Sequence, residues 1–379
     1  MRDAEVRAER LRNLLLADHG ATSPLEVVEW LGAIQAQDVA SAMWSIGVRS
    51  PGSTETSIAS AFEDGQILRT WPMRGTIHAV PGIDAAWMLE TTGARALDAS
   101  AGRRRQLGLT VADAEHAATA LSAALTGGRR LTRAEALAAI NDAGIETTGQ
   151  RGYHLLWYSA QIGVTCIGPQ LGSQQTFVLL DDWVPSPRQL TRAEGLIELA
   201  FRYFRSHGPT TIRDFAGWTG LTLTESRAAV AANDGRLVAV DAGPEPRWRA
   251  IGTDGAIGSG TAPLVALPGF DEFILGYKDR SLHVPDGMLD RIVPGGNGVF
   301  RATLVQHGVV IATWRRTLRA GRVDITVEPF ADLTSATQRA ATSALERYAT
   351  YLDRELTVTF SPTSPNGPLW RGKPVPNQP

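Results

Sequence analysis

Residues 190–251 read LTRAEGLIELAFRYFRSHGPTTIRDFAGWTGLTLTESRAAVAANDGRLVAVDAGPEPRWRAI. Apolar residues recur at helical spacing through LTRAEGLIELAFRYFRSHG and again through the shorter TTIRDFAGWTG and TLTESRAAVAANDG. The stretch closes on two β-rich pieces, RLVAVDA and PRWRAI, with Gly and Pro between them. Thr210 or Thr211 can cap the second helix, Gly220 can end it in the left-handed conformation, and Thr222 or Thr224 can cap the third. Helix, turn, helix, helix and β-wing is the winged-helix plan, whose DNA-reading form lays the third helix against a groove.

The same order recurs twice upstream. RAERLRNLLLADHG, SPLEVVEWLGAIQAQ and SIASAFEDG lead into ILRTWPMRGTIHAV. DAEHAATALSAALTGG, LTRAEALAAINDAGI and GQRGYHLLWYSAQIG lead into VTCIG and QQTFVLL. One winged helix is as often a scaffold as a DNA reader, whereas three in tandem favour DNA. Past residue 255 the texture changes. GTDGAIGSGTAP is a small-residue linker, and the strands around QHG and AGR read as hairpins followed by the helix TSATQRAATSALERYATYLD and the strand TVTF, a pattern that suits a small β-barrel or a curled sheet closed by a helix. The fold expected is α+β. It comprises three tandem winged-helix motifs over residues 1–108, 109–188 and 189–254, a β-barrel domain over 255–362 and a Pro-rich, poorly ordered tail over 363–379.

Composition bounds the chemistry. The chain has 379 residues, is 43% hydrophobic and lacks an apolar run of membrane-spanning length or a signal peptide, so a cytoplasmic, nucleoid-associated protein with no membrane partner is expected. A lone Cys166 excludes an intrachain disulfide, a four-cysteine cluster and a cysteine-based zinc site. The seven histidines (19, 78, 116, 154, 207, 283 and 307) do not stand at ligand spacing, so no metal and no cofactor is expected. A net charge of −2 gives no whole-chain basic footprint. Of the 37 cationic residues only Lys278 and Lys373 are lysines, which leaves two candidates for Schiff-base chemistry.

Three blocks carry a resemblance. LGAIQAQDVASAMWSIGVRS (31–50), RTWPMRGTIHAV (69–80) and LPGFDEFILGYKDR (267–280) resemble, in this order, the recurring blocks of the AlkZ/YcaQ family of DNA glycosylases, and the likeness runs from about Leu11 to Phe360. It implies three winged helices and a C-terminal barrel arranged as a cradle for duplex DNA. It also implies a monofunctional glycosylase for bulky N7-alkylated purines and, in the AlkZ branch with its Gln-x-Gln motif, unhooking of interstrand crosslinks and self-resistance to a DNA-alkylating natural product. The motif stands here as Gln35, Ala36, Gln37.

The chemistry suits amides. N7 alkylation makes the purine cationic, so the base leaves as a neutral molecule and the sugar drifts toward an oxocarbenium ion. What remains is to hold a water and to face the cation with oxygens. Gln35 and Gln37 are the catalytic candidates. On a regular helix, residues two apart diverge by ~200°, so either the helix ends near Ile34 or only one glutamine reaches the sugar. Asp38 is a better base and the rival for the water, although an aspartate after a helix also organises turns. His78, on a predicted strand, is either a structural residue or a donor to phosphate or lesion. Trp30, Trp44 and Trp71 form either an aromatic wall or core.

For DNA contacts the resemblance favours Arg69, Arg74, Lys278 and Arg280 over the run Arg103, Arg104, Arg105 and the group Arg315, Arg316, Arg319, Arg322. The expected partner is duplex DNA carrying alkylated purines or crosslinks, bound by a monomer because no dimerisation helix is evident. The alternatives are a winged-helix transcriptional regulator without chemistry and a small-molecule sensor.

Overall fold

The computed structural model describes residues 1–17, 20–172, 174–253 and 264–363. Most of the small-residue linker, the Pro-rich tail from residue 364, His19 and Lys373 lie outside the described residues. The chain divides into two compact units, one formed by Met1–Ala59 with the chain from Ile197 onward, the other by Ser60–Leu196. In chain order the elements are α1 (Asp3–Asn13), α2 (Pro24–Leu31), β1 (Ile34–Gln35), α3 (Val39–Gly47), α4 (Glu55–Glu63), β2 (Ile67–Met73), β3 (Thr76–Pro81), α5 (Ala85–Gln106), α6 (Val111–Leu125), β4 (Leu131–Thr132), α7 (Arg133–Asp142), α8 (Gln150–Gln161), β5 (Thr165–Leu171), β6 (Gln174–Leu179), α9 (Leu180–Trp183), α10 (Arg192–His207), α11 (Ile212–Thr219), α12 (Leu223–Ala231), β7 (Leu237–Val240), β8 (Arg247–Ala250), β9 (Val265–Leu267), α13 (Glu272–Leu275), α14 (Leu289–Ile292), β10 (Ala302–Gln306), β11 (Val309–Arg319), β12 (Arg322–Pro329), α15 (Ser335–Tyr351) and β13 (Glu355–Phe360). The class is α+β, as expected. No helix among the described residues is long and apolar enough to cross a membrane.

Residues 190–251 fold as their caps dictate. Thr211 accepts from the Asp214 amide at 3.1 Å to start α11, Gly220 ends it at φ 79°, and Thr222 accepts from the Glu225 amide at 3.1 Å to start α12. The hairpin β7–β8 follows, with Leu237 opposite Ala250. In the Ser60–Leu196 unit the strands run β3-β2-β5-β6-β4, and α5 and α8 pack on β2. Arg69 lies opposite Ala79 on one side and Ile167 on the other.

One expectation is left unconfirmed and one is corrected. The C-terminal strands form a sheet of order β13-β12-β11-β10-β9, in which β12 and β13 are parallel and joined through α15. Among the described residues no pairing joins β9 to β13, so no closed barrel is found. An edge strand of three residues, Val265–Leu267, gives little backbone for a second ladder. The stretch SPLEVVEWLGAIQAQ is likewise not one helix: α2 stops at Leu31, and a separate helix, α3, begins at Val39.

Candidate active site

Ser23 caps α2 by accepting from the Glu26 amide, and Pro24 occupies its first position. Gly32, at φ 84°, turns the chain out of the helix while its amide still reaches the Val28 carbonyl at 2.8 Å. The chain is then extended at Ile34–Gln35. Ala33, Ile34 and Ala36 are buried without exposure, Gln35 is half-buried, and Gln37 is exposed. Asp38 closes the segment by accepting from the Ser41 amide at 2.7 Å, which starts α3. Burial alternates along the segment, with Ile34 and Ala36 enclosed and Gln35 and Gln37 reaching solvent, while Gln37 itself lies in the bend that follows the two-residue strand. The helical divergence is removed because the helix has already ended.

Two consecutive carboxylates at the start of α13 hold this segment. Asp271 is 2% exposed and receives both Arg49 Nη1 at 2.7 Å and Nη2 at 2.8 Å, together with Ser45 Oγ at 2.7 Å. Arg49 is fully buried and also donates to the carbonyls of Leu14 and Ser45. Burial pushes the Asp271 carboxyl up, but the Arg49 charge and the hydrogen bonds from Arg49, Phe273 and Ser45 outweigh it and hold it below its ordinary range. Glu272, 1% exposed, accepts the Gln35 amide on Oε1 at 3.3 Å and takes Trp218 Nε1 at 2.9 Å and His207 Nε2 at 3.2 Å on Oε2. One acid thus grips α3, and its neighbour grips the glutamine segment.

The remaining candidates fall into different settings. His78 is fully buried on β3, its Nδ1 donating to the Thr76 carbonyl at 2.9 Å and its Nε2 lying 3.5 Å from Arg74 Nη2. Arg69 is 6% exposed in the middle of β2, whereas Arg74 is exposed at the β2–β3 turn at φ 56°. Lys278 is exposed. Its own amide donates to Asp214 at 2.8 Å. Arg280 is half-buried, donates to the Ile274 carbonyl and lies over the Phe300 ring at 5.3 Å.

The aromatic wall does not form. Trp44 and Trp71 are buried in cores, and Trp30 is bonded to the Asn13 carbonyl and covered by Arg205 at 4.3 Å. Arg103, Arg104 and Arg105 occupy the last turn of α5, where cations suit the helix dipole. Arg315 pairs with Glu328, Arg319 and Arg322 flank Asp324, and Arg316 meets Tyr348. Cys166 is fully buried, and burial pushes its thiol up to about 12.

A family described as DNA glycosylase AlkZ-like matches residues 28–351, a span that includes the glutamine segment and both carboxylates. The chain belongs to this AlkZ-like family. It is a DNA glycosylase, a hydrolase of N-glycosyl bonds. It is 26% identical to the interstrand DNA cross-link repair glycosylase of Streptomyces sahachiroi, over 94% of this chain and 97% of that protein. The solved structure of the Streptomyces sahachiroi DNA glycosylase AlkZ shares the fold with a TM-score of 0.78 at 20% identity, covering 94% of this chain and 99% of that one. Reading the sequence by residue type missed Arg49, Asp271, Glu272 and His207, although the first three stand inside the matching blocks. The available signal was acidic residues within the apolar context PGFDEFILGY, where a charge must find a buried partner.

Proposed function

We propose that this glycosylase acts, as a monomer, on bulky N7-alkylated purines in duplex DNA, including those that form interstrand crosslinks, and that Gln35 and Gln37 hold the attacking water. The observation that supports the reading is the early end of α2 at Leu31, after which Ile34 and Ala36 are buried while Gln35 and Gln37 keep access to solvent. The relative's activity in interstrand cross-link repair supports the crosslink. As the bond from the sugar carbon to N9 breaks, its electron pair neutralises the cationic purine. The water oxygen bonds to the sugar carbon, its proton passes to solvent, and an abasic site remains. The amides orient the water and stabilise the cationic sugar electrostatically without taking up the proton. Asp38 is engaged as the cap of α3, which favours the glutamines for the water.

The recurring helices and hairpins support three DNA-binding winged helices, with exposed Arg74 and Lys278 as the first phosphate contacts to test. Purified protein incubated with duplex containing an N7-alkylguanine should release free base and leave an abasic site, and borohydride should trap no covalent adduct. Absence of release, or a trapped adduct through Lys278, would contradict the proposal.

A further inference from the structure

We propose that Glu272 is a positioning residue for base release, acting through the Gln35 backbone to aim the glutamine pair. The inference rests on the water-holding reading of Gln35 and Gln37. Burying two adjacent carboxylates is costly unless each is fully engaged. The Asp271 carboxylate is committed to Arg49, Ser45 and the Phe273 amide, all parts of a structural clamp. Glu272 is arranged differently because its two oxygens face in different functional directions. Oε1 takes the Gln35 amide at 3.3 Å, inside the two-residue extended segment, and Oε2 is held by Trp218 Nε1 at 2.9 Å and His207 Nε2 at 3.2 Å.

Those two donors are themselves buried. Trp218 is 1% exposed in α11, and His207, at the end of α10, is stacked on Tyr203 with ring centroids 4.6 Å apart and an interplanar angle of 13°. An indole N–H can only donate. Oε2 must therefore accept, which leaves Oε1 turned toward Gln35. The α10–α11 core thereby sets the height of the Gln35 backbone, and with it the direction of the Gln35 and Gln37 side chains.

Glu272→Gln tests this at nearly constant volume, because an amide has one acceptor oxygen where the site needs two and would turn N–H toward either Gln35 or Trp218. Single-turnover base release should fall by roughly tenfold to a hundredfold, the cost of a misplacement on the order of an ångström, while affinity for undamaged duplex stays within about twofold. The control is Gln35→Ala. In that background Glu272→Gln should add less than about threefold, since both changes strike one water. A Glu272→Gln protein that melts earlier but releases base at the wild-type rate, or whose loss multiplies fully with that of Gln35→Ala, makes Glu272 merely structural and overturns the inference.

If Glu272→Gln does not fold, Trp218→Phe keeps the ring packing and removes one lock on Oε2. Release slowed by about threefold or more with binding unchanged supports the positioning role, and unchanged release overturns it. The two readings fail separately: normal release by Gln35→Ala removes the glutamine mechanism itself, whereas slow Gln35→Ala with normal Glu272→Gln removes only the role of Glu272.

Discussion

The segment Ile34–Asp38 and the hairpin β2–β3 both carry polar residues inside family-like blocks, yet the fold treats them in opposite ways. In the first, apolar Ile34 and Ala36 are buried while Gln35 and Gln37 keep access to solvent. In the second, every residue of β2 is buried, Arg69 included, and His78 is fully enclosed with its ring bonded to backbone. A reactive-looking side chain is available for chemistry only where alternation along the backbone turns it outward. Inside the covered sheet His78 is held by a hydrogen bond to backbone.

The contrast can be broken by substitution. The largest effect on stability is expected from the clamp beneath the glutamines: Asp271→Asn leaves the buried Arg49 charge uncompensated and should cost about 3–5 kcal/mol in denaturant unfolding. A loss under about 1 kcal/mol would mean that α3 is held by other contacts. Next, Asp38→Ala should cost ~1 kcal/mol as a lost helix cap, and Asp38→Asn should recover both stability and base release, since Asn also caps. An Asn variant that folds normally but releases no base would make Asp38 the water-activating group. The smallest effect lies on the hairpin. Arg74→Ala should reduce the log–log salt slope of duplex binding by about 0.9, one phosphate contact, without loss of stability, whereas Arg69→Ala should lower the melting temperature. Equal salt-slope changes for the two arginines would erase the distinction between the outward and enclosed positions.

Much of the frame was legible because its signals are local. Thr211, Gly220 and Thr222 cap where their residue types say they should, and the alternation in RLVAVDA and PRWRAI gives the hairpin that follows. An end of α2 near Ile34 was one of two readings the sequence left open, and the left-handed Gly32 with the Asp38 cap, three residues before Ser41, decides for it. The grip on the site was not legible. His207 meets Glu272 across 65 residues, and Arg49 meets Asp271 across 222. Closure of the C-terminal sheet was not legible, because hairpin spacing specifies neighbours and says nothing about whether the last strand returns to the first.

The central claim, that Gln35 and Gln37 act on the sugar and its water, is tested most directly by single-turnover release of free base from an N7-alkylguanine duplex. Wild type, Gln35→Ala, Gln37→Ala and the double variant are compared in parallel, and affinity for undamaged duplex is measured on the same preparations. The account predicts release slowed by roughly a hundredfold in each single variant, affinity within about twofold of wild type, and a double variant that loses clearly less than the product of the singles, because both amides hold one water. Release at the wild-type rate in either single variant, or a loss of duplex affinity equal to the loss of rate, would contradict it.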